Sequence, residues 1–170
     1  MLSDSDLNHH NTMESVMKHV APVVLGLCAV AVPFAFGQHS GPHTMVLPSD
    51  LKWTDVPSLP PGAKIAVIEG QMNQAVPFTI RLKFPANYQI PAHSHPAIER
   101  VTVLSGTFHM GTGDTFDKAK THALPPGAIA IMQVGTNHFA WTSEEVIVQL
   151  NGTGPWGINY VNPADEPRKK

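Results

Sequence analysis

The chain has 170 residues, 42% of them hydrophobic, and its 11 Lys and Arg against 13 Asp and Glu give a formal net charge of −2. This composition supports one compact domain and excludes a disordered tail protein, and without a basic excess no nucleic-acid partner is expected. The 16 prolines and 13 glycines, with only 14% charged residues, disfavour a helical bundle and favour short strands joined by turns.

An uncharged, mostly apolar run at 20–36 follows Lys18. It is marginal as a membrane-spanning helix, which needs about 20 such residues. Ala35 and Gly37 form the small-x-small pattern of an export cleavage site. We predict that residues 1–37 are a signal peptide or, alternatively, an N-terminal membrane anchor. Either way the rest of the chain is expected to be exported, periplasmic or secreted, and to contact a membrane only if the segment stays uncleaved.

The remaining chain changes character at residue 62. Residues 38–61 are rich in Pro and Gly and predict an arm with one short strand near 44–47. Residues 62–162 carry short β patterns, and 163–170 form a C-terminal tail. Strands are predicted at 64–69, 78–84, 99–104, 107–110, 128–133, 138–142, 146–150 and 158–161, with a short helix or lid at 114–122. Eight or nine such strands indicate an all-β sandwich, jelly roll or barrel that can close around a small cavity.

A group of histidines and one carboxylate predicts a metal site. His93 and His95 would lie on one face of a strand with Cα atoms roughly 6.6 Å apart, close enough to share an ion. Glu99 is four residues further on, and a fully extended chain from the first histidine would carry it about 20 Å away. The chain must therefore bend, and Pro96 stands where a strand is expected to be interrupted. His138, which opens a predicted strand after a glycine turn, is the best-placed fourth ligand.

Three imidazoles and one carboxylate form a mixed nitrogen and oxygen set that suits a divalent transition metal: Mn, Fe, Ni or Zn. Four protein ligands leave open positions on a metal that prefers five or six. Inward-facing residues are expected to shape an apolar pocket with one polar group, and those we predict are Phe108, Met110, Met132 and Gln149.

These residues, in this order and spacing, resemble the cupin superfamily. The first cupin motif, His-x-His followed by Glu and Gly, and the second, Gly-x-x-His, are matched by His93, His95, Glu99, Gly106, Gly135 and His138. The chain departs from the family pattern at Asn87, Gln133 and Thr142, where Gly, Pro and Asn are common, and keeps all four ligand positions. The resemblance covers roughly 62–162. It implies a cupin-type double-stranded β-helix, the RmlC-like jelly-roll barrel with a metal site, and pairing into a homodimer.

The resemblance leaves the reaction open, because the superfamily includes dioxygenases, decarboxylases, isomerases and binding proteins. Our first hypothesis is a metal-dependent enzyme, a dioxygenase or related cupin, acting on a small organic molecule in the barrel. Glu99 would be its catalytic residue, since a carboxylate can leave the metal and move a proton. The alternative is a non-catalytic module that binds or senses a small molecule or metal, because the sequence carries no separate nucleophile, base or cofactor motif.

Overall fold

The computed structural model describes residues 43–169, so the predicted signal peptide or anchor at 1–37 and the start of the arm lie outside the described residues. Within this range no helix is long and apolar enough to cross a membrane. Four short 3-10 helices accompany the strands, at Pro48–Asp50, Lys118–Lys120, Pro163–Asp165 and Pro167–Lys169. The strands are β1 (Thr54–Asp55), β2 (Lys64–Glu69), β3 (Pro77–Phe84), β4 (Gln89–Ser94), β5 (Glu99–Ser105), β6 (Phe108–Thr112), β7 (His122–Leu124), β8 (Ile129–Met132), β9 (His138–Thr142), β10 (Val146–Thr153) and β11 (Asn159–Tyr160).

The strands form two antiparallel sheets. One has the order β1-β2-β3-β10-β5-β8 and the other β11-β4-β9-β6-β7. Strands distant in sequence are neighbours, as where β10 pairs with both β3 and β5. The all-β prediction is therefore confirmed, and the fold is a double-stranded β-helix.

Local predictions differ from the structure mainly where strands are very short. No strand forms at 44–47; the arm instead contains a 3-10 turn and the two-residue strand β1. The predicted helix or lid at 114–122 is a single 3-10 turn, whose first residues are capped by the Asp117 side chain accepting from the Ala119 N–H at 3.0 Å. Strand β7, which begins at His122, is not among the predicted strands. Its three residues are too few to show a period, and pairing with β6 defines it.

The core lies between the sheets and follows the alternation of the longer strands. In β3 the residues Phe78, Ile80, Leu82 and Phe84 are buried, as their pattern predicts. The last three of them lie opposite the inward residues of β10, which are Leu150, Val148 and Val146. Each such side chain contributes about 1.5–3 kcal/mol by leaving water. This apolar interior is the environment in which the polar site lies.

One crossing between the sheets positions the predicted ligands. Strand β4 belongs to the five-stranded sheet and ends at Ser94, whereas β5 belongs to the six-stranded sheet and begins at Glu99. The chain bends at Pro96 and Ala97 between them. The bend expected from the histidine spacing is thus present, and it is also the point at which the chain changes sheet.

Turn residues explain the backbone shape around the first cupin motif. Gly106, between β5 and β6, has φ +70°, and a Cβ there would lie 2.5 Å from the Glu145 carbonyl oxygen. Asn87 has φ +59°. Asparagine tolerates this left-handed region better than most residues, so the chain keeps the backbone shape although glycine is absent.

Candidate metal centre

The three predicted histidine ligands meet inside the sandwich. His93 lies on β4, His95 just past its end, and His138 is the first residue of β9, directly opposite His93 in the strand register. Their ring centroids are separated by 4.2 to 5.2 Å. All three side chains are buried, and one ligand atom from each lies within 4.8 Å of the others. Three buried histidines could therefore hold one metal ion.

The crossing between sheets brings Glu99 to the same place. One carboxylate oxygen lies 3.4 Å from His95 Nε2 and the other 3.3 Å from His138 Nε2. Glu99 is only 5% exposed. A carboxylate at this depth requires a cationic or hydrogen-bonded partner, because burying an isolated charge is costly.

Backbone carbonyls fix the tautomer of each imidazole. Each Nδ1 lies 2.6 to 2.9 Å from a carbonyl oxygen, and since a carbonyl can only accept, Nδ1 must carry the proton and donate it. In a neutral ring Nε2 then has a free lone pair. The acceptors are Pro91 for His93, Gly157 for His95 and Thr136 for His138. Metal-bound histidines are generally oriented by such a second hydrogen bond.

Burial keeps the rings of His93 and His95 neutral. It lowers the pKa of His93 well below its ordinary value, and nearby His138 and His95 lower it further. Burial also lowers the pKa of His95, although Glu99 opposes the shift. The approach of Glu99 to His95 Nε2 is therefore a contact between acceptors, and His95 Nε2 and Glu99 Oε2 have no hydrogen-bond partner. A cation among them would satisfy both atoms, so the donor set fits a divalent transition metal.

The site faces a small apolar cavity of about 80 Å³. Phe108 and Met110 line it, as does Ser58, which contributes a hydroxyl-bearing residue beside the four candidate ligands. The arm segment that contains Ser58 is held in place by the Tyr160 hydroxyl, which donates to the Ser58 carbonyl at 2.8 Å, and by the Tyr88 hydroxyl, which donates to the Pro60 carbonyl.

Two predicted pocket residues lie elsewhere. Gln149 faces away from the cavity because Val148 and Leu150 are its inward neighbours on β10, and its Oε1 accepts from Arg81 Nε at 3.2 Å. The prediction that Gln149 faces inward is therefore wrong, because the side chain lies on the opposite face of β10. Met132 lies on the edge strand β8 and lines a second cavity of about 220 Å³, which shares Met110 with the first.

Trp156, which the metal-site prediction does not include, lies against the centre. Its ring stacks on His95 with centroids 4.4 Å apart and an interplanar angle of 17°, and it lines the apolar cavity. It lies in the loop between β10 and β11, where no periodic pattern could place it. By contrast, His109 stacks on Trp141 at 3.9 Å and does not line that cavity.

Comparison with known proteins gives one family match. A family model described as the ChrR cupin-like domain matches residues 42–153. No curated protein matches the sequence. The family match includes all four candidate ligands and ends before Trp156.

Solved structures show the same fold at low sequence identity. The polyketide cyclase RemF from Streptomyces resistomycificus is 16% identical with a TM-score of 0.61, over 75% of this chain and 91% of that one. An RmlC-like cupin from Shewanella frigidimarina is 14% identical with a TM-score of 0.53, over 65% and 90%. The DMSP lyase DddQ from Ruegeria pomeroyi is 17% identical with a TM-score of 0.50, over 63% and 58%. With the family match over residues 42–153, these findings show that the chain belongs to the ChrR cupin-like family of the cupin superfamily.

Proposed function

We propose that this protein is an exported metal-dependent cupin enzyme, oxygenase-like in its chemistry, that acts on a small organic molecule inside the barrel. His93, His95, Glu99 and His138 would hold a divalent Mn, Fe, Ni or Zn ion. A polyketide cyclase and a DMSP lyase share the fold, which therefore accommodates enzymes. The reaction is argued from the site itself.

The observation that carries the proposal is the convergence of acceptors in an apolar cavity. Each imidazole carries its proton on Nδ1, and His95 and His138 present Nε2 to the Glu99 carboxylate at 3.4 and 3.3 Å. The two fully buried atoms of this group that form no hydrogen bond, His95 Nε2 and Glu99 Oε2, are both acceptors. In an interior of low dielectric, such an arrangement is unfavourable unless a cation lies among the acceptors.

The chain's own groups would divide the remaining work. A bound ion supplies Lewis-acid or redox chemistry at its open coordination positions. Glu99 is the one carboxylate that lines the cavity, so it is the group that would accept or return a substrate proton. Phe108 and Met110 exclude water and hold the apolar part of the substrate.

A non-catalytic binding or sensing module is the second candidate. It is favoured by one observation: among the residues that line the cavity, no acid or base occurs beyond the four candidate ligands. In that case the same centre would capture a metal or a small ligand without turnover.

Metal content tests the centre. The purified full chain, measured by inductively coupled plasma mass spectrometry, is expected to carry about one transition-metal ion per chain. His95→Ala should lose it, while His109→Ala, which changes a histidine outside the cavity, should retain it. A wild type without stoichiometric metal, or a His95→Ala variant that keeps it, contradicts the proposal.

Oxygen uptake separates the enzyme from the module. Protein loaded with Fe, Mn or Ni is offered a panel of phenols and diketo compounds, and turnover that Glu99→Gln abolishes supports an enzyme. Tight ligand binding without uptake supports the module.

Export and pairing are proposals with their own measurements. Export predicts that the cellular protein is found outside the cytoplasm, which cell fractionation measures. If the leader is cleaved, the mature chain begins at Gln38, which intact mass spectrometry measures. The family resemblance suggests a homodimer, which sedimentation of the purified protein tests.

A further inference from the structure

Trp156 is fixed beside a candidate metal ligand by contacts on several sides. Its ring stacks on His95 at 4.4 Å and packs against Phe78 at 5.7 Å. Its backbone N–H donates to the Met72 carbonyl at 2.6 Å. The residue lies outside the region that matches the family model. The metal-centre cavity is therefore bounded on one side by an aromatic residue that the family match does not include.

The polar atom of this ring lacks a partner. Between His43 and Lys169, three buried side-chain polar atoms form no hydrogen bond: His95 Nε2, Glu99 Oε2 and Trp156 Nε1. A cation satisfies the first two, because both are acceptors. An indole N–H can only donate, so a cation cannot satisfy it. A buried donor without an acceptor is unfavourable, and Trp156 lines the metal-centre cavity, so a ligand in that cavity is the group that could accept from it.

Charge and volume define that ligand further. Three neutral imidazoles, one carboxylate and a divalent ion leave one excess positive charge between apolar walls, and this favours a ligand with a single negative charge. The cavity of about 80 Å³ has room for on the order of six water-sized groups. A small molecule with an apolar body and one anionic oxygen meets both conditions.

We infer that Trp156 is a ligand-binding residue whose indole N–H donates to the anionic oxygen of a small carboxylate or enolate held at the metal centre. The inference rests on the proposed metal centre and adds the chemical class of the ligand. The ring face orients His95, while the ring nitrogen selects the ligand.

The test uses isobutyrate as the probe and isobutyramide as its neutral counterpart, titrated calorimetrically into the metal-loaded full chain. Trp156→Phe keeps an aromatic ring against His95 and removes the donor. Trp141→Phe is the matched control, since Trp141 donates to Thr121 Oγ1 at 3.1 Å and does not line the cavity. We expect Trp156→Phe to bind isobutyrate about 10- to 100-fold more weakly with unchanged metal content, and Trp141→Phe to bind like wild type.

The possible failures are distinguishable. A wild type without metal overturns the proposed function before the probe is added. A metal-loaded Trp156→Phe variant that binds isobutyrate as tightly as wild type overturns the role of Trp156 alone, and isobutyramide binding as tightly as isobutyrate overturns the ligand class. If the Trp156→Phe variant does not fold, the NMR resonance of the Trp156 indole N–H in the wild-type protein provides the test. Spectra of Trp53→Phe and Trp141→Phe identify this resonance by elimination. Its chemical shift should change on addition of isobutyrate, and an unchanged shift overturns the inference.

Discussion

Replacing Gly106 with alanine tests whether the first cupin motif needs glycine for space or only for backbone conformation. The residue turns the chain between β5 and β6 with φ +70°. A new Cβ would lie 2.5 Å from the Glu145 carbonyl oxygen and 2.9 Å from Val146 Cγ2. Gly135, in the second motif, has a similar φ of +74°, but a Cβ added there would have no atom within 4 Å. A comparison of Gly106→Ala with Gly135→Ala therefore separates the cost of the steric conflict from the cost of the backbone strain.

The expected costs follow from these contacts. A left-handed conformation costs a non-glycine residue about 1–2 kcal/mol, and both variants carry this cost. Only Gly106→Ala also forces a methyl group against backbone, which adds about 1–3 kcal/mol. We expect Gly106→Ala to lower the free energy of unfolding by about 2–5 kcal/mol and Gly135→Ala by about 1–2 kcal/mol.

Urea denaturation of both variants, followed by circular dichroism, measures the two free energies. At about 4 °C per kcal/mol, the melting temperature of Gly106→Ala should fall roughly 8–20 °C and that of Gly135→Ala roughly 4–8 °C. Equal losses in the two variants would refute the steric argument and show that the Glu145 backbone yields to the methyl group.

Three other changes test different contacts. Trp156→Leu removes the aromatic face against His95 and should weaken metal binding about tenfold, measured by competition with a chromogenic chelator; unchanged affinity would contradict an orienting role. Thr142→Val should cost about 2–4 kcal/mol of stability, because the Thr142 hydroxyl bonds two backbone groups that would lose their partner; a loss below about 1 kcal/mol in urea denaturation would contradict this. Because burial holds the pKa of His93 low, the unfolded chain binds the extra proton first as pH falls. The free energy of unfolding of chelator-treated protein should therefore decrease below about pH 6.5, and His93 contributes up to about 1.4 kcal/mol per pH unit to this decrease. A flat profile from about pH 7.5 to about pH 5 would contradict the buried neutral ring.

Sequence spacing predicts the framework of the site because its signals are local. His93, His95 and Glu99 lie close together in the chain, and the extended length of that segment shows that the chain must bend. The alternation in β3 likewise predicts which residues are buried. These inferences need only strand geometry, which is the same in every sheet.

The remaining features depend on contacts between distant segments. Trp156 reaches His95 through the loop after β10, and Ser58 reaches the cavity through the arm; neither position has a periodic signal. Gln149 is a different case: it alternates with the buried Val148 and Leu150 along β10, so the period of the strand itself places it on the face away from the cavity. Met132 lies at a second cavity because β8 is an edge strand.

The central claim is that four residues hold one metal ion, and an anomalous-scattering map tests it most directly. Crystals of the protein grown with Zn²⁺ would be measured on both sides of the zinc absorption edge. The account predicts one strong peak in the barrel, about 2.0–2.2 Å from Nε2 of His93, His95 and His138 and from a Glu99 oxygen. A barrel without a peak, or a peak only at other histidines such as His109 and His122, would contradict it.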